Sequence, residues 1–136
     1  LIRLKRQKTS LSLAMFDLDH FKSYNDLYGH LEGDKVLKNV GEIVRHSIRH
    51  NVDSGYRYGG DEFAVLLIGA PMDQAMTIAE RIRSSIEQTE FQNITVSIGL
   101  SEYRDPLDLE GFVKSADDAM YIAKHSGGNR VHTNIL

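Results

Sequence analysis

The chain contains no cysteine, which excludes a disulfide framework and thiolate chemistry and is compatible with a reducing compartment. It also lacks any apolar run near the ~18 residues needed to span a bilayer. The longest such run, Ala64 to Ile68, has the length of a buried strand. Excess positive charge is missing too: 16 Lys+Arg against 19 Asp+Glu leave a net charge of −3, so no global field holds a nucleic acid or an anionic membrane surface. The basic opening, Leu1 to Lys8, has neither an apolar signal core nor a small-residue cleavage site. Residues 1–10 read as the end of an upstream helix or linker, and the chain is expected to be a piece of a longer protein whose regulatory region is absent.

What is present fits one domain over residues 1–136, with 41% hydrophobic and 26% charged residues, values typical of a chain that folds alone. Leu11 to Asp19 is apolar on both alternating faces until it meets two acids, as a doubly covered central strand is. Phe21 to Tyr28 forms a short helix stopped by Gly29. Val36, Leu37, Val40, Ile43, Val44 and Ile48 recur at helical spacing in a longer one, which Asp34 is placed to cap. Ser54 to Tyr58 and Asp61 to Ile68, joined by Gly59-Gly60, read as a hairpin. A third helix, opened by Pro71-Met72-Asp73, turns Glu80, Arg81, Arg83 and Glu87 to water. Ile94 to Leu100 alternates as a strand with one apolar face. A last helix, approached through Pro106, ends at Gly127-Gly128, and Arg130 to Thr133 forms an edge strand. The predicted order is βααββαβα(β), an α+β sandwich of helices over a mostly antiparallel sheet.

Asp17 and Asp19 sit at the carboxyl end of the first strand, and Asp61 and Glu62 directly follow the glycine pair. If strand and hairpin are neighbours, the four carboxylates converge. An all-oxygen cluster without His or Cys suits a hard cation such as magnesium shared with substrate phosphates. Taken singly, each motif also reads as a helix cap or a plain turn.

Gly59-Gly60-Asp61-Glu62-Phe63, preceded by Arg57-Tyr58, resembles the signature of the GGDEF family of diguanylate cyclase catalytic domains. The blocks Phe16-Asp17-Leu18-Asp19-His20-Phe21-Lys22, Asn25-Asp26, Gly29-His30, Gly33-Asp34, Val96 to Gly99 and Ala116 to Lys124 are similar to the rest of its pattern. The resemblance implies the palm-like fold of nucleotidyl cyclases and polymerases, and the condensation of two GTP into cyclic di-GMP with release of pyrophosphate. It implies Asp61 and Glu62 as catalytic, and Asp17, the Leu18 backbone, Asp61 and Glu62 as ligands of magnesium or manganese, two ions per site. Substrate binding falls to Phe21, Lys22, Asn25, Asp34, Gly59, Gly60 and Lys124, with Asn25 and Asp34 reading the guanine edge. Asp19 has a structural role in this reading. The implied partners are GTP, a transient two-fold homodimer and an upstream sensory or receiver domain, with no nucleic acid and no membrane contact. The implied location is cytoplasmic, including the cytoplasmic part of a membrane-anchored protein.

Two departures from the pattern stand out. Gly128 replaces a phosphate-holding Arg, with Arg130 two residues on. His50 replaces the Arg of the product-inhibition motif that Asp53 completes, with Arg49 adjacent. The other reading is a weak or inactive domain that binds GTP or cyclic di-GMP as a regulatory module.

Overall fold

A computed structural model describes residues 10–104 and 108–134, with Tyr58 described by its backbone alone. The expectations for residues 1–9 and for Pro106 lie outside the described residues. The elements are β1 (Leu11–Asp19), α1 (Phe21–Tyr28), α2 (His30–Ser47), β2 (Ser54–Tyr58), β3 (Glu62–Ile68), α3 (Met72–Glu87), β4 (Thr95–Glu102), α4 (Leu109–His125) and β5 (Arg130–Thr133). This is the predicted order, edge strand included.

The five strands form one mixed sheet in the order β2-β3-β1-β4-β5. All pairs are antiparallel except β4 and β5, which run parallel across the α4 crossover. Residue parity on β1 then assigns the two faces. Leu11, Leu13 and Met15 pack with Phe112, Ala116 and Met120 of α4, whereas Ala14, Phe16 and Leu18 join the larger core under α2 and α3. On that larger side Phe16 stacks on Phe63, its partner across the β1–β3 ladder, with centroids 5.2 Å apart. The stack aligns the two strands one residue from where both turn acidic.

Three local expectations are corrected. Helix α2 begins at His30 behind Gly29, and its first-turn bond runs from the Gly33 N–H to the Gly29 carbonyl, so Asp34 lies inside the helix and caps nothing. Strand β4 is buried on both faces, because its Ser97, Gly99 and Ser101 are small enough to lie under α4. Arg83 is half-buried instead of water-facing, since it donates to Glu80, Glu87 and Asn129. Among the described residues no helix is long and apolar enough to cross a membrane.

Candidate active site

The α4-facing row of β1 reads Leu11, Leu13, Met15, Asp17, Asp19, and it turns from apolar to acidic where α4 runs out of apolar cover. Asp17 stands opposite Glu62 on β3 and Ser97 on β4. The Leu18 N–H donates to the Asp61 carbonyl at 3.3 Å, which ties the strand end to the hairpin tip. Asp17 and Asp61 are thus held together, and Lys124 of α4 donates to Asp17 Oδ2.

The electrostatics of this pair are unbalanced. Asp17 Oδ1 is buried with no hydrogen-bond partner. Burial pushes the Asp61 carboxyl up to about 6, helped by the Asp17 carboxylate beside it, with Lys124 acting weakly the other way. Burial works against the Lys124 charge, but Asp17, with Asp61 and Asp19, more than offsets it and raises its pKa. An orphaned carboxylate oxygen beside a second carboxyl short of positive charge fits a hard divalent cation, which binds through one or two carboxylates and completes its shell with phosphate and water.

Convergence is narrower than the sequence suggests. Among the described residues no group of three or more His, Cys, Asp or Glu side chains is gathered as a metal site. Asp19 is buried but fully engaged, accepting from Thr95 Oγ1 (2.7 Å), Ser97 Oγ (2.6 Å) and the Asn129 N–H (2.9 Å). It braces β1 against β4 and the loop behind α4. Glu62 lies back over Gly59, where its Oε2 would sit 2.9 Å from a Cβ. Gly59 has φ +68°, a left-handed turn that a side chain would strain and that Glu62 would obstruct. Gly60 is open to solvent, and its carbonyl accepts from Arg57 Nε (3.2 Å) and a second guanidinium nitrogen (2.8 Å). This brace on the signature turn was missed from sequence. Its signal is an arginine three residues before the carbonyl it holds.

Asn25 and Asp34 flank the α1–α2 corner. The Asn25 amide oxygen is buried without a partner, and a Cβ at Gly33 would lie 1.7 Å from it. The missing side chain of Gly33 is therefore the seat of Asn25. Asp34, one residue on, is exposed, as is Lys22 at the second position of α1. Phe21 sends its ring into the main core, leaving its backbone as its contribution to a site.

The departures also resolve. Gly128 has φ +70°, and a Cβ there would press on the Asp19 carboxylate at 2.9–3.2 Å, so a side chain in this loop conformation would be strained. Arg130 Nε turns back to the Gly128 carbonyl (3.1 Å) instead of reaching outward. Asp53, its side chain fully buried, is clamped by Arg49 through the backbone N–H (2.8 Å) and two guanidinium contacts (2.9 and 2.6 Å), and Arg49 also donates to the Ile68 carbonyl. His50 is exposed beside this clamp.

The family model described as "Diguanylate cyclase, GGDEF domain" matches residues 1–130. Diguanylate cyclase A of Treponema denticola is 43% identical over 132 residues, covering 92% of this chain and 35% of that protein. Diguanylate cyclase DosC of Escherichia coli K12 is 38% identical over 133 residues, 93% of this chain and 29% of that protein. The chain thus spans about a third of the length of these curated relatives. Among solved structures, the active GGEEF domain of a Vibrio cholerae diguanylate cyclase superposes with a TM-score of 0.89 at 32% identity, covering 96% of this chain and 86% of that one. The GGDEF domain of DgcB from Caulobacter crescentus, solved with c-di-GMP, gives 0.86 at 31% identity, with 96% and 81% covered.

Proposed function

The chain belongs to the GGDEF family of diguanylate cyclase domains, and from that premise we propose that it condenses two GTP into cyclic di-GMP and two pyrophosphates. The Asp17–Asp61 pair with Lys124 at the strand end carries this reading: it is an oxygen-donor site short of positive charge at an open hairpin tip. In each half-reaction a ribose 3′-oxygen bonds to the α-phosphorus of the other GTP, and the bond from that phosphorus to the bridging oxygen breaks. Magnesium or manganese, held by Asp17, Asp61 and the Leu18 carbonyl, would supply charge neutralisation on the phosphates. Glu62, opposite Asp17 but outside the pair, takes the 3′-hydroxyl proton in this reading. Lys124 shifts from Asp17 toward substrate phosphate, with Lys22 and the amides after Asp17 as further donors. Asn25 and Asp34 read the guanine edge, because a carboxylate accepts from N1–H and N2–H while adenine would leave it unpaired.

One domain holds one GTP, so two domains must face each other about a two-fold axis. GTP supply places the domain in the cytoplasm, downstream of a sensory or receiver unit. Incubating the domain with GTP and magnesium should yield cyclic di-GMP by chromatography, with two pyrophosphates for each. No dinucleotide at high protein concentration would leave only a GTP-binding module. In the same assay with mixed GTP and ATP, Asp34→Ser should admit adenine products, since the penalty against adenine falls by about 1–3 kcal/mol. An unchanged product ratio would remove Asp34 from base reading.

Gly33→Ala tests the seat of Asn25 directly. The obstacle to the new methyl is the end of a side chain, so the domain should stay folded while Asn25 is displaced. KM for GTP should rise about tenfold, the worth of one lost hydrogen bond of ~1.4 kcal/mol. An unchanged KM would show that Asn25 contributes nothing to binding.

Product feedback should be weak. Arg supplies a fork of donors that a neutral imidazole at position 50 lacks, and Asp53 is already occupied by Arg49. Cyclic di-GMP titrated calorimetrically should show no affinity tighter than about 100 µM, and His50→Arg should tighten it at least tenfold. Submicromolar binding by the unaltered chain would overturn this.

A further inference from the structure

A groove of about 300 Å³ runs between α2 and the edge strand β2 and shares no residue with the carboxylate pair or with Asn25 and Asp34. Gly41, Val44 and Arg45 of α2, with Ile48 just past its end, form one wall, and Gly55 and Arg57 of β2 form the other. Two observations single it out. Gly41 lies inside α2, where glycine costs about 1 kcal/mol relative to alanine, yet a Cβ there would meet nothing within 4 Å. Packing does not require this glycine; its missing side chain provides the width of the groove. The charged residues of the lining are two arginines, with no acid among them. Arg57 spends two donors on the Gly60 carbonyl, and a guanidinium has five. Arg45 is exposed in the last turn of α2.

We propose that this groove binds a small amphipathic carboxylate, its apolar body over Val44, Ile48 and Phe63 and its carboxylate on Arg45 and Arg57. The volume, at the low end for ligand sites, sets the size class. A bidentate guanidinium contact selects carboxylate over an ammonium or a neutral head. Because Arg57 also holds Gly60, occupancy is felt at the turn that carries Asp61, on the other side of the hairpin.

Titration of the 15N-labelled domain with octanoate and with 4-phenylbutyrate tests this and separates an aliphatic from an aromatic source. Saturable amide shifts are expected at Gly41 and Gly55, with a Kd on the order of 1 mM or tighter for at least one carboxylate. They should extend to Gly60 and Asp61, and octylamine should leave them unmoved. Arg45→Gln should weaken binding about tenfold, and Gly41→Leu should abolish it with the melting temperature unchanged or raised. If Gly41→Leu does not fold, Gly41→Ala should weaken binding instead. Equal shifts with octylamine, full binding by the glycine variants, or no saturable shift with either acid would overturn the site. Shifts confined to the groove would overturn its link to the signature turn.

Discussion

Asp61→Asn is expected to lower cyclase turnover by at least about a thousandfold while making the cation-free domain more stable at pH 8. On the proposed function, the first effect follows from removing one of the two carboxylates that would hold a cation against the transferring phosphates. The second follows from linkage. In the folded domain burial and the neighbouring Asp17 push the Asp61 carboxyl up to about 6, from an ordinary value of 3.8. Between those pH values the folded state therefore binds the proton that the unfolded state has released. Stability falls as pH rises through that window, and the deficit is complete above about 6. Two pH units correspond to ~3 kcal/mol, and partial solvent screening at the hairpin tip reduces this to about 1–2 kcal/mol. An asparagine carries no charge, and its amide can donate to Asp17, whose Oδ1 has no partner in the native protein. Calorimetry in chelator should show the variant melting several degrees higher at pH 8, with the gap narrowing below about pH 6 and closing near pH 4. Magnesium should stabilise the native domain and leave the variant unchanged. Turnover within tenfold of native, or identical melting at pH 8, would break the assignment.

Gly99→Ala is expected to be severely destabilising for a single added methyl. A Cβ at Gly99 would lie 2.1 Å from the Ala116 carbonyl oxygen, 2.1 Å from the Met120 nitrogen and 2.7 Å from its Cα. These are backbone atoms of α4, and no rotamer change relieves the clash. The helix must move off the sheet, opening the contacts of Phe112 and Met120 with Leu11, Leu13 and Met15. A cost of ~3 kcal/mol or more is a large share of the 5–15 kcal/mol that holds a domain of this size. Lys124 is one turn beyond Met120, so its ammonium would leave Asp17 and activity would fall even in the folded fraction. Gly41→Ala is the control: with open space around it, the same added methyl should stabilise by about 0.5–1 kcal/mol. Urea titration of both variants checks the contrast, and a Gly99→Ala domain within 1 kcal/mol of native would show that α4 does not lie this close.

The sequence by itself determined the element order, the edge strand and the acidic end of β1, because each rests on local periodicity and on glycines that only turns tolerate. Alternation along Leu11 to Asp19 already placed Asp17 and Asp19 on one face. It could not divide their labour, since the partners that engage Asp19 are 76 to 110 residues away. The cap expected of Asp34 failed for a related reason: Gly29 ends one helix and opens the next, so α2 starts a turn earlier than its apolar stripe. In β4 the Ser and Gly positions looked like a wetted face because alternation reports polarity and not size. Tertiary packing decided otherwise, seating α4 on Gly99 and returning the serine hydroxyls to Asp19 and to the Phe112 carbonyl. A buried hydroxyl costs little once it is bonded, and whether a bond partner exists is a property of the assembled sheet.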